Sequence, residues 1–159
     1  MIENKEKLGD FIAKLKNKIG FSFNIDDFGD RLKLQKYVFL AKHFGFNHNY
    51  HYNLYIRGPY SSDLADDYYN VSNEGIFQND SLNIENGFFD LIEGKTIEWL
   101  ESATTMLSLF EDYTNKYSRL DNEHKRITLV VDTRKIKSHI EIKTIKNVYD
   151  DLIDYNLMN

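Results

Sequence analysis

The sequence predicts a mainly α chain with a small β component, an α+β class. Three observations carry that expectation. Apolar residues recur at helical spacing over most of the chain. One short segment, Tyr50 to Arg57, alternates at the period of a strand. Gly58-Pro59, which holds the only proline, stops that segment at once.

The first helix is predicted from about Glu3 to Ile19, where Leu8, Phe11, Ile12, Leu15 and Ile19 share a face and Gly20 fits the position just past the end. Glu3, Glu6 and Asp10 dilute the basic face that docking on a membrane surface requires. A second helix begins at Asp26 or Asp27, either of which can cap it. It runs through Leu32, Leu34, Val38, Phe39, Leu40, Ala41 and Phe44 to Gly45, and is apolar nearly all round, as a central helix should be. Gln35 lies on the face of Leu32 and Phe39, and a partly buried amide bonded to nearby backbone is expected there before a ligand-binding role.

After the predicted strand and the Gly-Pro turn, Ser61 or Ser62 caps a short helix through Leu64, Ala65 and Tyr68. Asp63 sits in its first turn, where the helix dipole favours an anion. The polar stretch that follows holds two short apolar pieces, Ile76-Phe77 and Leu82 to Ile84, compatible with a small β-hairpin or an irregular loop. A long helix is expected from about Lys95 to Tyr117. Ile127 to Val131 is β-branched, yet a lone strand there lacks a partner, so helix is favoured. Ile142, Ile145, Val148, Tyr149, Leu152 and Ile153 mark a last helix ending near Leu157.

The 159 residues, 42% of them hydrophobic, suffice for one domain over 1–159 with a packed core. The absence of cysteine excludes disulfides, thiolate catalysis and cysteine-based zinc sites. The N-terminal segment has no apolar signal region, and no apolar run approaches the ~18 residues of a membrane span, so a cytoplasmic protein without membrane association is expected. Charge is unevenly spread. Residues 1–59 hold 10 Lys and Arg against 6 Asp and Glu, a net +4, whereas residues 60–101 hold Lys95 against 10 acids, a net −9. Such a distribution bears on partners more than on fold.

The order helix, strand, Gly-Pro turn, helix and hairpin-like stretch, over about 27–90, reads as a winged-helix-like unit packed with further N- and C-terminal helices. The residues Leu32–Ala41 (LKLQKYVFLA) and Tyr55–Leu64 (YIRGPYSSDL) resemble the prokaryotic YwgA-like family. More distantly they resemble the SocA-like, or Panacea, antitoxin domain, where a KLQK helix precedes a Tyr-Gly-Pro-Tyr turn. The direct resemblance covers about a quarter of the chain, and Arg57 stands where the family more often has a small or polar residue. The Panacea-like resemblance implies a cytoplasmic protein that neutralises a toxin or acts as an adaptor, with a toxin or a protease substrate as partner.

Two binding readings follow from the residues. The helix after Pro59 carries Asp63, Asp66 and Asp67 without Lys or Arg, beside Tyr60 and Tyr69. An acidic face with aromatic anchors is the chemistry of a protein interface. The alternative is a DNA-binding regulator using Arg31, Lys33, Lys36 and Arg57. It is disfavoured because carboxylates beside a phosphate lattice oppose the counterion release that drives such binding.

An enzyme is not expected, nor a catalytic residue, a cofactor or a metal. His48 and His51 are the only closely spaced histidines, and on a strand they point to opposite faces, so both are expected as solvent-facing loop residues. The paired carboxylates Asp26-Asp27, Asp66-Asp67 and Asp150-Asp151 read as caps or solvated faces.

Overall fold

The computed structural model describes residues 4–55, 57–74 and 82–159. The chain is mainly helical with a small two-stranded antiparallel sheet. It divides into two compact units, Met1–Asn53 with Tyr60–Glu93, and Leu54–Pro59 with Gly94–Asn159.

In the first unit, α1 (Asn4–Ile19) buries Leu8, Phe11, Ile12 and Leu15 on one face. It ends at Gly20, whose φ of 71° is the left-handed conformation that closes a helix, with Phe21 N–H reaching Leu15 O at 3.3 Å. Helix α2 (Phe28–Ala41) is capped by Asp27, whose side chain accepts from Asp30 N–H at 3.1 Å. It is buried from Leu34 to Ala41 and tightens into a 3₁₀ turn over Lys42–Phe44. Gly45 follows at φ 106°, and a Cβ there would stand 2.9 Å from the Asn83 carbonyl oxygen, so both conformation and space require glycine.

Strand β1 (Asn53–Tyr55) pairs with β2 (Gly58–Tyr60), and α3 (Ser62–Glu74) follows directly. Its cap is Ser61, whose Oγ accepts from Leu64 N–H at 3.2 Å. Helix α4 (Asn86–Ile92) turns Phe88, Phe89, Leu91 and Ile92 inward. Helices α3 and α4 pack on α1, and α4 also on α2. An aromatic cluster fills the centre, with Phe11 5.0 Å from Phe46 and 5.6 Å from Phe88 between ring centroids.

In the second unit, α5 (Ile97–Asp112) is capped by Thr96 and buried without interruption from Trp99 to Phe110. The short α6 (Thr114–Ser118) follows, then α7 (Asn122–Ile136), capped by Asp121, and α8 (Ile142–Asp154). Helices α5, α7 and α8 pack pairwise around Leu100, Met106, Leu107, Leu129, Val130, Ile145, Val148 and Leu152.

Several expectations need correction. The strand is three residues long, and Asn53, Leu54 and Tyr55 are all exposed. Buried alternation falls earlier, from the end of the 3₁₀ turn through the irregular chain after Gly45, where Phe44, Phe46, His48 and Tyr50 are buried and the residues between them exposed. Ile56 and the Ile76-Phe77 piece of the expected hairpin lie outside the described residues, while Leu82 and Ile84 are buried without forming a strand. The long helix expected from Lys95 to Tyr117 breaks at Tyr113, where the backbone leaves helical values (φ −123°, ψ 41°) and α6 starts afresh. Ile127 to Val131 is helical, as favoured.

Candidate functional site

One amide ties α2 to the start of α3. Gln35 on α2, 1% exposed, donates from Nε2 to the Ser61 carbonyl at 2.8 Å, and its Oε1 accepts from Ser61 N–H at 2.9 Å. The N–H of Ser61, itself fully buried, is thereby satisfied where the chain leaves β2 and enters α3, and its carbonyl is shared between Gln35 and the Ala65 N–H at 3.1 Å. The glutamine of the LQK helix thus fixes the start of the helix that follows Gly58-Pro59-Tyr60. It is the backbone-bonded amide expected from its position.

From that start, α3 turns Leu64, Ala65, Tyr68 and Val71 inward. Ser62, Asp63, Asp66, Tyr69, Asn70 and Asn73 are exposed, at the spacing of one helix face. Tyr69 is 46% exposed and Tyr60, at the end of β2, 37%. Asp63 takes the His51 ring Nδ1 at 2.9 Å and the His51 backbone N–H at 3.3 Å on the same carboxylate oxygen, which holds its carboxyl below the usual range. Asp67 is only half-exposed and accepts from the Tyr50 hydroxyl at 2.7 Å. Burial, and then that carboxylate, push the Tyr50 phenol far up. Of the five predicted contact residues, Tyr60, Asp63, Asp66 and Tyr69 are therefore exposed, Asp63 while bonded to His51. Asp67 serves mainly to tie Tyr50 to α3.

The predicted basic set does not form a stripe. Lys36 is 1% exposed, because α2 is enclosed on every side at that level. Arg31 donates to the Ile25 carbonyl at 2.6 Å and lies against the Phe28 ring, while Lys33 is half-buried. Arg57 belongs with the second unit, 3.8 Å from Glu101.

His48 also departs from expectation. It is buried, its Nε2 lies 3.3 Å from the Val38 carbonyl, and its Nδ1 accepts from Tyr50 N–H at 3.3 Å. Burial lowers its pKa to about 4, against the raising effect of the Val38 carbonyl. His51 is exposed, as expected.

One constellation escaped the sequence reading. Glu101 on α5 is almost wholly buried, with Arg57 Nη1 3.8 Å from one carboxylate oxygen and Lys137 Nζ at 3.8 Å and His139 Nε2 at 3.6 Å from the other. Lys137 is fully buried at the end of α7, and its pKa is lowered by burial, with Glu101 opposing and Arg57 adding to the shift. Thr105, one turn from Glu101, and Thr133, one turn from Lys137, have buried hydroxyls without a hydrogen-bond partner among the described residues. The signal was available: Glu101 is the only charged residue in the run Trp99 to Phe110. Its partners lie far away in sequence, and no spacing rule connects them.

Among the described residues no group of three or more His, Cys, Asp or Glu is placed to hold a metal, and no helix is long and apolar enough to cross a membrane. No protein-family model, curated protein or solved structure matches the chain.

Proposed function

We propose that this chain is a protein-binding module of antitoxin or adaptor type, engaging a protein partner through the acidic and aromatic face of α3 on a winged-helix-like frame. The observation that carries the reading is the exposed stripe of Asp63, Asp66 and Tyr69, extended by Tyr60, on a helix without Lys or Arg whose first turn is anchored by Gln35. Tyrosines that expose a ring while the helix beneath is fixed make low-entropy anchors, and the carboxylates steer a basic partner. The order α2, β1, β2, α3 supports the winged-helix-like description. A DNA-reading use of α3 has little support, since Lys36 is buried and Arg31 is spent on a backbone carbonyl.

The test is the variant Asp63→Lys/Asp66→Lys, which leaves the Tyr50–Asp67 bond intact. Affinity capture from the native host should lose the partner while the circular dichroism spectrum is unchanged. Retention of the partner, or tight salt-sensitive binding of duplex DNA by the wild type, would refute the reading.

A further inference from the structure

The second unit carries an open cleft of about 230 Å³, lined by Leu109, Tyr113, Tyr117, Ile136, Lys116, Lys135 and Asp132. Its apolar floor and wall come from α5, α6 and the last turn of α7. Tyr113 is 57% exposed beside it. The one carboxylate of the lining is already engaged: Asp132 Oδ2 accepts from Lys116 Nζ at 2.9 Å and from the Tyr117 hydroxyl at 2.8 Å. Lys135 remains exposed at the rim, so the cleft is apolar within and cationic in balance. The stripe leading to it along α7, Ile127 and Val131 at four-residue spacing, is exposed too. The volume is below the roughly 300–1,000 Å³ of a small-molecule site and suits a single large side chain as anchor.

The chain itself presents the complementary surface. The α3 face offers Tyr69 next to Asp66, with Tyr60 and Asp63 beyond, aromatic where the cleft is apolar and anionic where the cleft is cationic. We propose that the α3 face of one copy docks into the α6–α7 cleft of a second copy, with Tyr69 as the anchor and Asp66 against Lys135. This rests on the reading of α3 as a protein-binding face and names a second copy of the chain as one of its partners. Two different patches meet, so the interface is heterologous: each copy offers one donor face and one acceptor cleft, and association runs head to tail into a ring where the rotation closes and an open chain where it does not.

Mixing complementary broken copies tests this. Asp66→Lys/Tyr69→Ala removes the anchor and its charge, while Lys135→Glu/Ile136→Asn alters the cleft. Neither touches Asp63, Asp67 or the Lys116–Asp132 pair. Sedimentation velocity of the wild type should show concentration-dependent association that weakens at least roughly tenfold as ionic strength rises from about 0.01 to about 1 M, where the screening length falls from roughly 30 to roughly 3 Å. Each variant alone should be monomeric, and an equimolar mixture should form a dimer and stop there, since one intact face and one intact cleft remain. That rescue excludes misfolding as the reason for either loss. A wild type that stays monomeric at all concentrations overturns the self-docking inference, as does association insensitive to salt or a mixture that gives no dimer. If the wild type is monomeric but a host protein is still captured in a manner dependent on Asp63 and Asp66, self-docking fails while the α3 reading stands. If neither occurs, both fail.

Discussion

Around α2 and the start of α3, two sets of buried contacts are neutral and within hydrogen-bonding distance, Gln35 with Ser61 and His48 with Val38 and Tyr50, although α2 also buries the charged Lys36. Around α5, the buried Glu101 carboxylate stands 3.6–3.8 Å from nitrogens of Arg57, Lys137 and His139, a contact between charged groups in the case of Arg57 and Lys137. The difference has an energetic consequence. A neutral amide matched to two backbone groups stabilises through direction, and its loss orphans the Ser61 N–H, which has no other partner among the described residues, while the carbonyl keeps the Ala65 N–H. A buried carboxylate and ammonium repay their desolvation only by each other's presence, so either one alone is worse than neither.

The largest effect is therefore expected in the second unit. Glu101→Leu leaves Lys137 fully buried without its carboxylate, and should lower unfolding stability by about 3–5 kcal/mol. The double variant Glu101→Leu/Lys137→Met should be more stable than Glu101→Leu alone, because both charges leave the interior together. Urea midpoints of the two single variants and the double complete the cycle. Simple additivity of the two losses would show that Glu101 and Lys137 do not act as a pair.

The next effect sharpens the contrast from the first unit. Gln35→Leu removes both bonds to Ser61 and leaves its buried N–H unmatched, while the Ser61 carbonyl keeps the Ala65 N–H at 3.1 Å, at a cost of about 1–3 kcal/mol. Gln35→Glu keeps an acceptor for Ser61 N–H but sets a carboxylate oxygen against the Ser61 carbonyl. It should recover no more than part of the loss, and amide exchange should quicken first in the opening turn of α3. Equal stability of Gln35→Glu and the wild type would mean that the bidentate geometry is not what holds the start of α3 to α2.

Much of this architecture was legible in the sequence because its causes are local. Asp27 and Ser61, each one of two expected candidates, cap their helices, and most apolar positions read on α1, α2 and α8 are buried, with Ile142 left exposed. Gln35 was readable as a backbone-bonded amide because its helix is apolar on the same face. What escaped depended on neighbours distant in sequence. Helix α4 begins Asn86-Gly87, poor helix formers, and its burial of Phe88, Phe89, Leu91 and Ile92 outweighs that propensity. Lys36 was read as surface from its charge alone, although its helix is enclosed. His48 was read in a loop, although Phe44, Phe46 and Tyr50 on either side already mark its phase as the buried one. The Glu101 constellation draws on residues 57, 101, 137 and 139, which only the fold brings near one another.

The His48 contact also separates the two regions by pH. Its two bonds suit the neutral ring: Nε2–H donates to the Val38 carbonyl, while Nδ1 accepts from Tyr50 N–H. Protonation would set a second N–H against the Tyr50 donor, inside a buried site. The folded-state pKa is accordingly lowered to about 4 from an ordinary 6.5, chiefly by burial. Between those values the unfolded chain binds more protons than the folded one, so stability must fall as the solution is acidified through that window. The contribution is present in full above pH ~6.5 and lost progressively towards pH ~4, by up to about 3 kcal/mol. In His48→Gln, which retains a donor and an acceptor without a titrating ring, the slope of melting temperature against pH should flatten in that window. Glu101→Leu/Lys137→Met should leave the same slope in place, since its change lies in the other unit. An unchanged slope in His48→Gln would show that the acid loss arises at a group other than the His48 ring.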